Sequence, residues 1–242
     1  MLRIFRTLCA LTIATVLTTG CITANKQALA PNNVAALKEQ GVVATSREKK
    51  PDFAAMTAGR ATFGLIGAFV MISEGNTLVA ENGITDPANE IAISLVNNLS
   101  NRYGTKSAVA TIPVTGDDIS NLSVAPAARY IVDVQTINWG FAYFPTNWTH
   151  YRIHYAVKAK LFDAQTKTLL AEGFCRRFPE ETPTSPGYDQ MLADKAAMIK
   201  AAMAQWRDEC TAELQKDMFP TEATATTNAT PANATVVSKA GT

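Results

Sequence analysis

The 242-residue chain sets 22 Lys and Arg against 21 Asp and Glu, a formal net charge of +1, and is 47% apolar and 8% aromatic. A balance this close to neutral argues against a nucleic-acid surface, because the only basic run is the brief Arg47-Glu48-Lys49-Lys50, which reads as solvated. No GxSxG, P-loop, GxGxxG or HExxH pattern occurs, so the sequence offers no catalytic signature and no cofactor site, and a non-enzymatic role is expected.

The amino terminus, MLRIFRTLCALTIATVLTTGC, places Arg3 and Arg6 ahead of an apolar run over residues 7–17 and small residues before Cys21. That is the layout of a secretory signal. The run falls short of the ~20 residues a membrane-crossing helix needs, so residues 1–20 are expected to be removed. Leu17, Thr18, Thr19, Gly20 and Cys21 resemble the lipobox of bacterial lipoproteins, with the leucine four places before the cysteine rather than three. The resemblance implies cleavage before Cys21 and lipidation of its sulfur, and two or more acyl chains anchor firmly where one binds marginally. Ile22 in place of Asp implies sorting to the outer membrane, with the domain on its periplasmic face. The other reading is a secreted protein cut nearby, with Cys21 incidental. Loss of Arg3 and Arg6 would move the net charge from +1 to about −1.

Residues 21–52 are polar and irregular, with one short helix or strand expected near 34–43, and read as a tether with a span of about 30 Å. Residues 61–72, ATFGLIGAFVMI, form the most apolar stretch after the signal. They are best read as a buried helix, the alternatives being a buried strand or a membrane-dipping segment. Gly64 and Gly67 would let a second backbone approach. Asp86, Pro87 and Glu90 mark a helix start. Ile91, Leu95, Leu99 and Tyr103 then share one side with Ala92 and Val96 beside them, and Gly104 ends the helix, giving one over 87–103. A strand is expected near 107–113, followed by a polar loop. Its Asp117 and Asp118 suggest a cation or an acid/base pair, but adjacent carboxylates in a turn are ordinarily solvated.

Tyr130, Val132, Val134 and Thr136 alternate as in a strand, and so, after the segment INWGFAYFPTNWTHY, do Tyr151, Ile153, Tyr155, Val157, Ala159 and Leu161. A turn near 162–168 leads to a third strand over 169–175, completing an antiparallel meander. Residues 188–218 carry Leu192, Ala196, Ile199, Met203, Trp206, Cys210 and Leu214 on one stripe and read as a long helix covering the sheet. The tail from 220 is Ala/Thr/Asn-rich and is expected to be disordered, its Asn-Ala-Thr repeats being compositional. The organisation is therefore signal 1–20, lipidated tether 21–52, one α+β domain 53–219 and tail 220–242. Strands followed by a long helix loosely resemble the α/β domains of envelope lipoproteins such as the curli-secretion lipoprotein family, a topological likeness that carries no function.

With Cys9 removed and Cys21 acylated, Cys175 and Cys210 remain, as a disulfide fastening helix to sheet or as two separate buried thiols. His150 and His154 share a strand face with Arg152 and Lys158, a poor setting for a cation, and no metal site is expected. Trp139, Phe141, Tyr143, Phe144 and Trp148 cluster where the first long strand must turn into the second. They form either a satellite core or an exposed aromatic loop, 139–148, that binds a partner. The favoured function is a non-catalytic outer-membrane lipoprotein, an accessory or assembly partner for envelope components. The alternative is a binding module for a hydrophobic ligand or glycan at that loop.

Overall fold

The computed structural model describes residues 25–220 except 109, 117, 120–121 and 123–127; the signal, Cys21, Asp117 and the tail from 221 lie outside the described residues. In chain order the elements are α1 (Pro31–Leu37), β1 (Gly41–Arg47), β2 (Phe53–Met56), α2 (Ala58–Ala61), α3 (Gly64–Asn82) and α4 (Ala88–Tyr103). There follow β3 (Lys106–Ser107), β4 (Ile112–Val114), β5 (Tyr130–Phe144), β6 (Asn147–Asp163), β7 (Thr168–Arg177) and α5 (Tyr188–Met218).

The antiparallel meander is present as β5, β6 and β7, but the sheet as a whole is mixed. Its seven strands follow the order β3-β1-β5-β6-β7, with β2 joined to β5 and β4 to β1. Val42, Val43 and Ala44 of β1 pair in parallel with Tyr130, Ile131 and Val132, and β2 pairs in parallel with β5 from Phe53↔Trp139 to Met56↔Ala142. The purely antiparallel expectation failed because β1 sits in the polar stretch read as a tether, where a three-residue apolar core is too short to stand out.

That tether is corrected accordingly. Gln27 bridges to Glu172 on the edge of β7 through backbone bonds of 2.8 Å in both directions, and Leu29 N–H donates to the Met218 carbonyl at 2.8 Å. Leu29, Leu37, Val42, Val43 and Ala44 are buried. The folded unit thus includes residues between 27 and 52, within the stretch expected to be tether.

Helices α3, α4 and α5 cover one face of the sheet. On α4, Ile91, Ala92, Leu95, Val96 and Leu99 are buried, as their spacing requires. Asp86 Oδ1 accepts the Ala88 N–H at 3.1 Å, and Gly104, at φ +68°, closes the helix by donating to the Ser100 carbonyl. Burial of five such side chains contributes on the order of 10 kcal/mol before conformational entropy is subtracted.

The long C-terminal helix is broken. Asp194, Lys195 and Ala196 have φ between +53° and +56°, a left-handed turn that costs non-glycine residues about 1–2 kcal/mol each. The break shifts the phase of the stripe. Met191 is buried in place of half-buried Leu192, whereas Ala196, Ile199, Met203, Trp206, Cys210 and Leu214 are buried as expected. Cys175 and Cys210 form a disulfide across 35 residues, tying β7 to α5. Gly173 makes the close approach there, since a Cβ at that position would lie 2.7 Å from Leu214 Cδ2.

On the opposite face, Val43, Ile119, Ala128, Ile131, Phe162 and Ala164 form a second, smaller cluster. Among the described residues it covers the end of the sheet where β5 begins and β6 ends.

Candidate functional site

The aromatic segment is not a loop. β5 runs through it to Phe144, and the hairpin turns at Pro145 and Thr146. Between Thr136↔Val157 and Asn138↔Ala156 the register shifts, leaving Ile137 as the extra residue of a bulge. Inward positions are even-numbered before the bulge and odd-numbered after it. Trp139 and Phe141 are therefore carried into the helix-facing core, where Phe53 packs edge-on against both at 5.1 and 6.0 Å. Trp139 Nε1 donates to the Pro51 carbonyl at 3.0 Å. Phe144 is also buried, on the opposite face. These three rings are withdrawn as partner-binding residues because none is free to meet a partner. Tyr143 is half-buried, and Trp148, 63% exposed, stands edge-on to it at 6.5 Å.

The two histidines are held separately. His150 Nδ1 lies 3.0 Å from both Asn147 Oδ1 and Thr149 Oγ1, while His154 Nε2 lies 3.1 Å from Asn138 Oδ1. Asp118, the described half of the acidic pair, is exposed.

A different surface stands out. Phe63, Leu65, Ile66 and Phe69 are 66%, 82%, 75% and 74% exposed, in the stretch expected to be a buried helix. The local structure explains the discrepancy. Gly64, at φ +57°, turns the chain sharply from α2 into α3, a conformation costly for any other residue. Along α3, Gly67, Met71, Gly75 and Val79 form the buried stripe. A Cβ on Gly67 would sit 2.0 Å from the Arg60 carbonyl oxygen, and one on Gly75 would sit 2.0 Å from that of Phe53. Helix α3 thus lies against backbone through its glycines, not through its large side chains. Gly67 provides the close approach expected of it, whereas Gly64 meets nothing within 4 Å. Arg60 also donates to Glu74, tying α2 to α3.

The two halves of α3 differ. From Ser73 onward its exposed positions are Ser73, Glu74, Asn76, Thr77, Ala80 and Glu81, the outer face of an ordinary amphipathic helix; before that they are apolar. The four large side chains at the start of α3 expose on the order of 500 Å², comparable with the largest apolar patch of a typical monomer, about 300–600 Å². No helix among the described residues is long and apolar enough to cross a membrane.

Beyond the end of α3, a buried polar network fixes the start of α4. Thr136 Oγ1 donates to Asp86 Oδ1 and lies 3.2 Å from Tyr155 Oη. Burial raises the Asp86 carboxyl above its ordinary value despite that hydrogen bond, and burial together with the Asp86 charge drives the Tyr155 phenol up as well. On the outer face, Asp133 accepts from Thr45 Oγ1 at 2.6 Å and from Arg47 at 2.7 Å. Both networks join β5 to its neighbours and serve the fold.

No family model and no curated protein matches the sequence. Solved structures do. The PelC dodecamer from Paraburkholderia phytofirmans aligns over 75% of this chain and 90% of its own at 11% identity and a TM-score of 0.29. A Xanthomonas campestris protein of family-model DUF330 aligns over 80% and 92% at 9% identity and 0.33. The lipoprotein GNA1162 from Neisseria meningitidis aligns over 70% and 99% at 10% identity and 0.23. At these identities and scores the similarity carries nothing about function.

Proposed function

We propose that the chain is a non-catalytic bacterial lipoprotein, anchored through acylated Cys21 in the outer membrane and facing the periplasm, where it serves as an accessory or assembly partner for envelope components. The surface that engages the partner is the start of α3, not the aromatic segment. The observation that carries this reading is the exposure of Phe63, Leu65, Ile66 and Phe69, since side chains of this kind, held out on a helix and rimmed by polar residues, are those that partners bury. The lipobox-like residues before Cys21 support the anchor.

Because Gln27 is paired into the sheet, the chain from Cys21 to that point can reach at most about 20 Å. The domain is thereby held close to the bilayer surface rather than on a long leash.

The test has two arms. Replacing Cys21 with Ser should abolish fatty-acid labelling and release the protein from the outer-membrane fraction. A photoreactive residue at Ile66 should yield a discrete protein adduct in cells, lost when Leu65 and Phe69 are both changed to Gln. Unchanged labelling and fractionation would refute the anchor, and an adduct that ignores the L65Q/F69Q change would refute the surface.

A further inference from the structure

The helix layer and the open face of the sheet carry charge of opposite sign. Helices α3, α4 and α5 hold more Asp and Glu than Lys and Arg. On the sheet the balance is reversed. The inward residues of β6 are odd-numbered and buried, so Arg152, His154, Lys158 and Lys160 belong to the face turned away from the helices. In β7 the same face carries Glu172, Phe174 and Arg176, paired with Lys160, Lys158 and Ala156 in turn. Lys158 and Lys160 are half-buried and Arg176 is exposed.

These cations lack the partners that arginines have elsewhere. Arg47, Arg60, Arg129, Arg177 and Arg207 each bond a carboxylate. Among the described residues no carboxylate bonds Arg152, Lys158, Lys160 or Arg176, and Arg152 donates only to the Pro179 carbonyl, at 3.3 Å. Two acids share the rows of β5, β6 and β7: Asp133 is already matched by Arg47 at 2.7 Å, and Glu172 stands opposite Lys160. Glu181, in the chain after β7, is engaged by Thr146 Oγ1 at 2.8 Å and Asn147 Nδ2 at 2.9 Å. The guanidiniums of Arg152 and Arg176 lie over the Phe178 ring at 4.1 and 4.4 Å, which holds them in place. The His154 ring adds no charge near pH 7, because burial first, then Arg152 and Arg176, lowers its pKa to about 4.

The amino-terminal chain enters the fold beside this face. Gln27 pairs with Glu172 at the edge of β7, in the row of Lys160, two strand spacings or about 10 Å from the Lys160 backbone. From Gln27 the chain back to Cys21 reaches at most about 20 Å. Along β6 the cations extend about 26 Å from Lys160 to Arg152. A bilayer that holds Cys21 is thus within reach of the whole row.

We propose that the open face of the sheet docks on the anionic phospholipid headgroups of the bilayer that holds the anchor, with Arg152, Lys158, Lys160 and Arg176 against the lipid phosphates. The docking rests on the anchor proposed above. A single lipidated point fixes the distance of the domain from the membrane but not its orientation, and the row of cations supplies the second constraint. The acidic helix layer is repelled from the same surface, so the apolar start of α3 is turned away from the bilayer and left free for its partner. Each Lys or Arg near an anionic surface strengthens binding about fivefold.

The experiment uses the mature chain from residue 22, exported behind an ordinary secretory signal, which lacks Cys21 but keeps every described residue. It is sedimented with vesicles of phosphatidylcholine alone or of an equal mixture with phosphatidylglycerol. The expected result is binding to the mixed vesicles, weakened by salt, and little to phosphatidylcholine. Lys158→Gln and Arg176→Gln should each lower the partition coefficient about fivefold. Lys216→Gln, at an exposed position on α5, should leave it unchanged, with urea unfolding showing all three variants folded. Equal binding to both vesicles, or a loss in Lys216→Gln as large as in the other two, would overturn the proposal. Tighter binding to soluble polygalacturonate than to the mixed vesicles would assign the face to an acidic polymer and overturn the bilayer as its occupant. Because Cys21 is absent from this chain, failure here leaves the fatty-acid labelling test of the anchor untouched, and the two can fail separately.

Discussion

Replacing Leu65 and Phe69 together with Gln separates a surface made for association from one that merely belongs to the core. Leu65 is 82% and Phe69 74% exposed, so the free chain has only about a fifth to a quarter of each side chain to lose. Full burial of a Leu or Phe contributes about 1.5–3 kcal/mol, which sets the expected loss of folding stability at about 0.5 kcal/mol per site. Helix propensity does not mask the effect, because Gln differs little from Leu and Phe on that scale. In a complex that buries both side chains the loss should reach about 3–5 kcal/mol, more than a hundredfold in affinity. The comparison is Trp139→Ala, at a buried ring packed against Phe53 and bonded to Pro51, which should lose about 3–5 kcal/mol of stability. Urea unfolding of the three proteins measures the first quantity, and the yield of the adduct from Ile66 measures the second. An L65Q/F69Q protein as destabilised as W139A would show that this surface is packed in the native chain, and the reasoning would fail.

Four further outcomes follow from the same geometry. Changing Cys175 and Cys210 together to Ala opens a 35-residue loop and should cost about 4 kcal/mol in the chain-entropy model, read as a fall in the urea midpoint. Gly75→Ala, which in an exposed helix would gain about 1 kcal/mol, places a Cβ 2.0 Å from the Phe53 carbonyl oxygen. It should instead destabilise by about 3 kcal/mol as α3 is pushed off β2, also measured by urea unfolding. Lys195→Gly, at φ +56°, should stabilise by about 1 kcal/mol, seen as a rise in Tm. The depressed pKa of His154, about 4 against 6.5, means that the unfolded chain takes up the proton first as the pH falls. The folded state therefore keeps its full margin above the unfolded value and loses on the order of 3 kcal/mol between there and about pH 4. His154→Gln should remove that part of the acid sensitivity when urea unfolding is compared at about pH 7 and about pH 4.5.

The elements that are legible in the sequence are those whose burial follows one uninterrupted period. Helix α4 could be placed from Ile91, Leu95 and Leu99 because one side of a helix is all that the sheet requires of it. The inward face of β6 could be placed because residues 151–161 alternate without a break. The pairing of Cys175 with Cys210 needed only a third strand and a covering helix to bring the sulfurs together. The stripe on α5 survived its break, because the left-handed turn at 194–196 moved the phase by a single residue.

What the tertiary structure alone decided concerns positions where the local pattern is silent or misleading. Hydrophobicity by itself places residues 61–72 inside and the polar stretch before residue 52 outside, and each assignment fails in part: Phe63, Leu65, Ile66 and Phe69 face outward while Leu29, Leu37 and Val42 to Ala44 are buried. Glycines at 67 and 75 bring α3 so close to neighbouring backbone that Leu65, Ile66 and Phe69 have nowhere to go but outward. The short strand 41–47 is drawn inward because β5 has a free edge that needs hydrogen bonds. The aromatic segment changed meaning through a single extra residue, Ile137, which alters the face of everything after it. In the same way, residues of β6, β7 and the chain after β7 become neighbours only once the sheet is formed, and only then do Arg152, Arg176 and His154 lie around one phenyl ring, that of Phe178. Periodicity determines which side of an element is apolar; close approach of backbones and sheet register determine what that side meets.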